Sequence, residues 1–236
     1  MRCARIRLQR CYDRLVQERA VDLGGHPGLL VRPRGAEALY ILAHGAGAGM
    51  RHPFMTEIAE ALATHAIATL RWEFPYMAAG RARPDSPAVA EAAVRTVWMA
   101  SAEHARGLPR FAGGKSFGGR MTSRAHAAAP LPDLRGIAFL GFPLHPRDKP
   151  GIERAEHLAQ AAGPLLFLQG TRDDLADLAL LRPVIKKLGR RATLHIVDGA
   201  DHGFDVLVRS GRTHDEVIDE LARTITVWME AVLDAR

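Results

Sequence analysis

Gly113-Gly114-Lys115-Ser116-Phe117-Gly118-Gly119-Arg120-Met121 carries the pattern G-x-S-x-G at 114–118, between an apolar segment and a stretch compatible with a helix. Such a pattern sets a serine on a sharp strand-to-helix turn. The turn brings the two backbones so close that a larger side chain at either flanking glycine would clash. Two later segments extend the reading: Gly170-Thr171-Arg172-Asp173 and Asp201-His202-Gly203-Phe204. Serine, then aspartate, then histidine is the order in which this kind of turn meets its partners along a chain.

Working outward, Gly28–Arg32 and Leu39–His44 read as the first strands, the second a nearly unbroken apolar run. Runs without alternation belong to strands buried on both faces, as in a helix-covered parallel sheet. Pro53 to His65 has helical spacing, with Phe54, Ile58, Ala61 and Leu62 on one side, and Ala66–Trp72 is the next strand. Ser86-Pro87 supplies an N-cap followed by proline at the first helical position, opening a helix to Arg106. Strands are expected at Arg110–Gly113, Arg135–Phe142, Pro164–Gln169 and Ala192–Val197. Helices are expected after the serine to Ala128, near Ile152–Ala162 and near Leu175–Leu188. The last helix begins with Thr213-His214-Asp215-Glu216, a capping box, and continues with Val217, Leu221, Ile225, Trp228 and Val232 on one face. Alternating strands and helices give an α/β protein with a mostly parallel, doubly wound sheet and helices on both faces. Between Phe142 and Pro164 there is too little chain for a cap domain, so an open site is expected.

The chain of 236 residues suits one domain with a single extended core. Its net charge of +6 is concentrated at one end: residues 1–20 hold Arg2, Arg5, Arg7, Arg10, Arg14 and Arg19 against Asp13 and Glu18, which is +4. The rest is close to neutral, so neither a basic face nor a nucleic-acid partner is expected. Residues 1–20 read as a poorly ordered basic tail and 21–236 as the domain. The tail lacks the apolar stretch of a secretory signal and resembles a mitochondrial presequence only weakly. Cys3 and Cys11 both lie in it, and the lack of cysteine elsewhere fits a reducing, cytoplasmic setting. No apolar run reaches the roughly 18 residues that suggest a membrane span.

Acyl transfer needs a nucleophile, a base, a group that orients the base, and donors for the oxyanion. Ser116 is the candidate nucleophile and His202 the base. Asp173 is the candidate orienting acid, with its neighbour Asp174 as competitor. His195, in a strand, and His214, at a helix start, compete with His202 less well, because a loop position reaches the serine turn. Activity that needs a neutral histidine rises with pH through roughly 6–7, the reference value. The oxyanion donors are expected to be the N–H groups of Phe117 and Ala46, the latter in His44-Gly45-Ala46-Gly47-Ala48-Gly49-Met50. His44, Gly45, Gly47, Arg71 and Tyr76 are substrate-pocket candidates, with Arg71 either binding an anionic group or pairing with Glu73. Lys115 and Arg120 read as outward-facing.

Competing readings fail on spacing. Gly45-x-Gly47-x-Gly49 imitates a dinucleotide fingerprint, but Met50 stands where the third glycine belongs and Pro53 starts the helix too late for pyrophosphate. The end of a P-loop is imitated by Gly114-Lys115-Ser116, yet Pro109 occupies the position of that motif's first glycine. His44, His52, Asp201 and His202 form no helical histidine pair or cysteine set of the kind zinc favours. No cofactor or metal is expected.

His44–Met50, Arg71-Trp72-Glu73-Phe74-Pro75-Tyr76, Gly113–Met121 and Gly170–Asp173 together resemble one branch of the α/β-hydrolases. It is the dienelactone-hydrolase-like group that includes the NSL-complex subunit 3 and testis-expressed proteins, and the resemblance runs from Pro27 to the C-terminus. It implies the α/β-hydrolase fold, a Ser116-His202-Asp173 triad, and a small acyl substrate. Dienelactone hydrolases proper use cysteine where this chain has Ser116, which turns the expectation away from dienelactone. Some relatives serve as subunits of complexes, so the resemblance also allows a homo-oligomer or a protein partner, and an interaction role is the alternative to catalysis.

Overall fold

The computed structural model describes residues 18–235; the head of the basic tail, residues 1–17, lies outside them. Eight strands form one sheet in the order β1-β2-β4-β3-β5-β6-β7-β8. They are β1 (Glu18–Asp22), β2 (Pro27–Val31), β3 (Ala38–Ala43), β4 (Ile67–Trp72), β5 (Arg110–Lys115), β6 (Leu134–Leu140), β7 (Leu165–Gly170) and β8 (Ala192–Val197). β2 runs antiparallel to both β1 and β4, and from β4 onward every pairing is parallel.

The unalternating runs behave as double burial requires. β3, β4 and β7 are buried at every position, because helices cover both faces. On one face, α1 (Pro53–Thr64) and α6 (His214–Asp234) press Phe54, Ile58, Leu62, Val217, Leu221, Ile225 and Trp228 against Tyr40, Leu42, Phe111 and Leu166. The other face is covered by α3 (Pro87–Ala105), α4 (Phe117–Ala128) and α5 (Leu178–Leu188), with a one-turn α2 (Pro75–Ala78) near the end of β4. Ser86 occupies the N-cap of α3, but its side chain makes no capping bond; proline at the first turn does the shaping. The capping box of α6 is complete, Thr213 and Glu216 each closing on the other's backbone.

The fold adds α2, which the sequence reading lacks, and departs from that reading at the tail boundary and in the β6–β7 crossover. The tail boundary drawn after residue 20 cuts through β1, a mostly exposed edge strand that extends the sheet from Glu18. Its residues Glu-Arg-Ala-Val-Asp carry no alternating apolar pattern, so only pairing with β2 identifies it. The short helix expected near Ile152–Ala162 is a 3₁₀ segment, Glu153–Ala159, that buries Ala155 and Leu158. That i, i+3 spacing suits three residues per turn.

The crossover between β6 and β7 thus contains one short 3₁₀ segment and otherwise turns and loop. No lid is built from it. No helix among the described residues is long and apolar enough to cross a membrane.

Candidate active site

Ser116 stands immediately after β5, Asp173 follows β7, and His202 lies in the loop after β8. All three therefore sit beyond the C-terminal ends of parallel strands, where open α/β sheets form their crevices. Ser116 is held at φ 48° and ψ −114°, a backbone region that non-glycine residues rarely occupy. The strain is imposed by packing from both sides of the turn. A Cβ on Gly114 would lie 2.1 Å from the Ala43 carbonyl oxygen, and one on Gly118 would lie 2.6 Å from the same atom. Gly114→Ala must therefore push β5 off β3. A loss of stability of about 3 kcal/mol or more is expected in urea unfolding, at the upper end of overpacking costs. Unfolding at the wild-type midpoint would mean that this pair of strands separates freely.

The geometry links the three side chains in a line. His202 Nε2 is 2.8 Å from Ser116 Oγ, and His202 Nδ1 is 2.7 Å from Asp173 Oδ2. A carboxylate can only accept, so Nδ1 carries the proton and Nε2 is the free acceptor facing the serine hydroxyl. The carboxylate of Asp173 is buried and further loaded: Oδ2 also receives Gln169 Nε2, and Oδ1 accepts from the Leu175 N–H at 2.8 Å. Gln169 is itself fixed, its Oε1 accepting from the Phe142 N–H at 3.0 Å. Asp174 points elsewhere, to an exposed ion pair with Arg147 at 2.7 Å.

Among the described residues, neither the Ala46 nor the Phe117 N–H donates a hydrogen bond. Phe117 is the first residue of α4, where an N–H has no helical partner. The loop holding Ala46 is tied down from behind. Phe74 N–H donates to His44 Nε2 at 3.1 Å, Gly47 N–H to the Tyr76 hydroxyl at 2.9 Å, and Met50 N–H to Glu73 Oε1 at 2.9 Å.

A cavity of about 330 Å³ opens over Ser116 and His202, with Phe54, Met55 and Leu175 supplying apolar wall and Gly45, Ala46, His52 and Lys115 among its other lining residues. A larger hollow of about 480 Å³ touches Gly107, Pro109, Arg110, Asp133 and Arg135. It lies at the opposite ends of β5 and β6 and contains no nucleophile, whereas the smaller cavity is lined by Ser116 and His202.

The sequence profile of the alpha/beta hydrolase domain family matches residues 36–230. The chain belongs to that family.

Solved structures of other α/β proteins share this hydrolase fold. A dienelactone hydrolase from Anabaena variabilis superposes with a TM-score of 0.72 at 21% identity, covering 92% of this chain and 98% of its own. An alpha-beta serine hydrolase homologue from Coxiella burnetii gives 0.69 at 19% identity, over 89% and 95% of the two chains. A serine hydrolase without lid from Xanthomonas campestris gives 0.65 at 16%, over 94% of each.

Within this hydrolase fold, the pocket candidates separate into two groups. Gly45 lines the cavity, as does the expected oxyanion donor Ala46, whereas His44, Gly47, Arg71 and Tyr76 do not. His44 is fully buried, with Nδ1–H donating to the Gly45 carbonyl at 2.8 Å and Nε2 already accepting from Phe74. Burial pushes its pKa below the usual histidine value, against smaller opposing effects of the Gly45 carbonyl and Glu73. It is therefore neutral, and its approach to Glu73 Oε2 at 3.4 Å is a contact rather than an ion pair. Arg71, also buried, pairs with Glu18 instead of Glu73 and donates to Thr56 Oγ1 at 2.8 Å and to the Met50 carbonyl at 3.2 Å. The Arg71–Tyr76 stretch is thus a scaffold under the Ala46 loop. Lys115 departs furthest from expectation: it turns inward to the cavity, donates to the His202 carbonyl, and burial pushes its pKa down to about 8.

Proposed function

We propose that the protein is a serine hydrolase that cleaves a small ester or related acyl compound through an acyl-enzyme. The observation that carries this reading is His202 bridging Ser116 and Asp173 at 2.8 and 2.7 Å. His202 Nε2 takes the proton of the Ser116 hydroxyl as Oγ bonds to the acyl carbon. The tetrahedral oxyanion is stabilised by the free N–H groups of Ala46 and Phe117. The imidazolium then gives its proton to the leaving group, and the carbon–leaving-group bond breaks. Water, deprotonated by the same nitrogen, releases the acid and restores the serine. Asp173 keeps the proton on Nδ1 throughout and offsets the imidazolium charge. A fluorophosphonate probe is expected to label wild-type protein at Ser116 and to leave Ser116→Ala unlabelled. Folded wild-type protein that resists the probe would turn the reading toward an interaction role.

Substrate size follows from the cavity and the short crossover. About 330 Å³ is at the small end of ligand sites, and the β6–β7 crossover supplies no apolar lid. The lidless Xanthomonas serine hydrolase fits the same picture. A long acyl chain would leave methylenes in water, each forfeiting about 0.8 kcal/mol. On p-nitrophenyl esters, kcat/KM is expected to peak at about two to six carbons by this burial argument. A steady rise to palmitate would require an apolar tunnel and would overturn the open-site picture.

A further inference from the structure

Lys115 is the residue between the first glycine and the serine of the elbow, and it does not face solvent as a lysine on a strand end ordinarily does. Its ammonium donates to the backbone carbonyl of His202. It also lies 5.2 Å from the ring centroid of Phe204 and 5.7 Å from that of Phe54, two rings stacked at 5.8 Å. Gly141 leaves room for it: a Cβ there would stand 3.2 Å from Nζ and 3.4 Å from His202 Cε1. The base of the loop that carries His202 is held to the loop after β7, Arg172 N–H donating to the Ala200 carbonyl and Gly199 N–H to Thr171 Oγ1, both at 2.8 Å, while its tip is braced by Asp201 Oδ1 accepting from the Gly203 and Asp205 N–H groups at 2.8 and 3.0 Å. Lys115 is thus a polar tie between that loop and the elbow, alongside the His202–Ser116 and His202–Asp173 contacts.

We propose that Lys115 is a positioning residue, whose ammonium fastens the histidine loop to the elbow so that His202 stays in line with Ser116 only while Lys115 is charged. This rests on the serine-hydrolase reading. Charge-assisted hydrogen bonds are roughly twice as strong as neutral ones, and attraction to an aromatic face needs the cation. A neutral amine keeps an N–H donor but loses the charge assistance and the attraction to the rings. The groups that face the ammonium are Asp173 from the loop after β7, and Asp201, Asp205 and His202 from the loop after β8; Ser116 and His52 share the cavity wall. The three carboxylates favour the charged form, but burial outweighs them and brings the pKa to about 8. The tie is therefore intact at neutral pH and loosens across a range in which Arg, with its higher pKa, stays charged.

The test compares wild type, Lys115→Met and Lys115→Arg by ester hydrolysis and fluorophosphonate labelling from pH 6 to 10, beside NMR titration of ¹³C-labelled lysine. The chain has only four lysines, Lys115, Lys149, Lys186 and Lys187, so the Lys115 signal is identified by its loss in either variant. Wild-type kcat should fall as pH rises through about 8, with a matching titration of the Lys115 signal. Lys115→Met should lose about tenfold in kcat at neutral pH, with KM unchanged and no alkaline fall, as expected for losing a hydrogen bond to a charged group. Lys115→Arg should extend the active range to higher pH. An active wild type whose alkaline fall persists in Lys115→Met, or whose Lys115 signal titrates at the ordinary value near 10.4, overturns the positioning role alone. A wild type that neither hydrolyses esters nor takes the probe overturns the hydrolase reading as well.

Discussion

Replacing Ser116 by alanine is expected to lower kcat on a short-chain ester by about 10⁶-fold, the loss seen when a serine protease loses its nucleophile. Thermal stability should stay near wild type. The hydroxyl makes one side-chain hydrogen bond, to His202, which has the carboxylate of Asp173 and a carbonyl tie to Lys115 to keep its place. Alanine also carries a Cβ, so it inherits the φ of 48° without adding or relieving strain. The free N–H groups of Ala46 and Phe117 are untouched, so a small residual rate over water is expected from them and from binding. Steady-state assays with protein purified away from host esterases measure the effect. Activity surviving at roughly 1% of wild type or above would be far too high for a lost nucleophile, and would move the attacking group to another residue.

The sheet was legible because burial on both faces leaves a local mark. Tyr40, Ile41 and Leu42 follow one another without a polar break, and the helices announce themselves through Pro53, Pro87 and the Thr213 capping box. Ser116, Asp173 and His202, which hydrogen bonds link through His202, could be singled out as candidates for a similar reason, since each sits in a short motif just past a strand. What was not legible depends on partners distant in sequence. β1 exists through pairing with β2, and Arg71 reaches back 53 positions to Glu18. His44 and Tyr76 look like pocket residues when only their motif is seen, yet the loop folds so that both lie beneath it and hold its backbone. Lys115 was assigned to the surface because lysine usually goes there; only the crossing of the β8 loop over the elbow shows a carbonyl waiting for it. Gln169 carried no signal beyond being a polar residue at the end of an apolar strand, which in retrospect is the mark of a buried polar group with a fixed partner.

That glutamine makes the outcome at Asp173 severe. In Asp173→Asn one carboxylate oxygen becomes an NH₂ donor. If the amide nitrogen takes the Oδ2 position it meets two donors, His202 Nδ1–H and Gln169 Nε2; if it takes the Oδ1 position it meets the Leu175 N–H. Gln169 cannot turn to help, because its Oε1 is held by the Phe142 N–H at 3.0 Å. In the first arrangement His202 is driven to carry its proton on Nε2, the wrong side for accepting one from Ser116. In the second a buried N–H faces a donor, which costs about 1–3 kcal/mol of stability. A loss of about 10⁴ in kcat is expected, as for the corresponding change in a serine protease. Asp174→Asn removes only the exposed pair with Arg147, worth about 0–1 kcal/mol, and kcat should be unchanged. Measuring both variants on one ester decides between the neighbours: if Asp174→Asn is the damaging change and Asp173→Asn is tolerated, the carboxylate that orients His202 in solution is Asp174, and the Asp173–His202 hydrogen bond has no part in the chemistry.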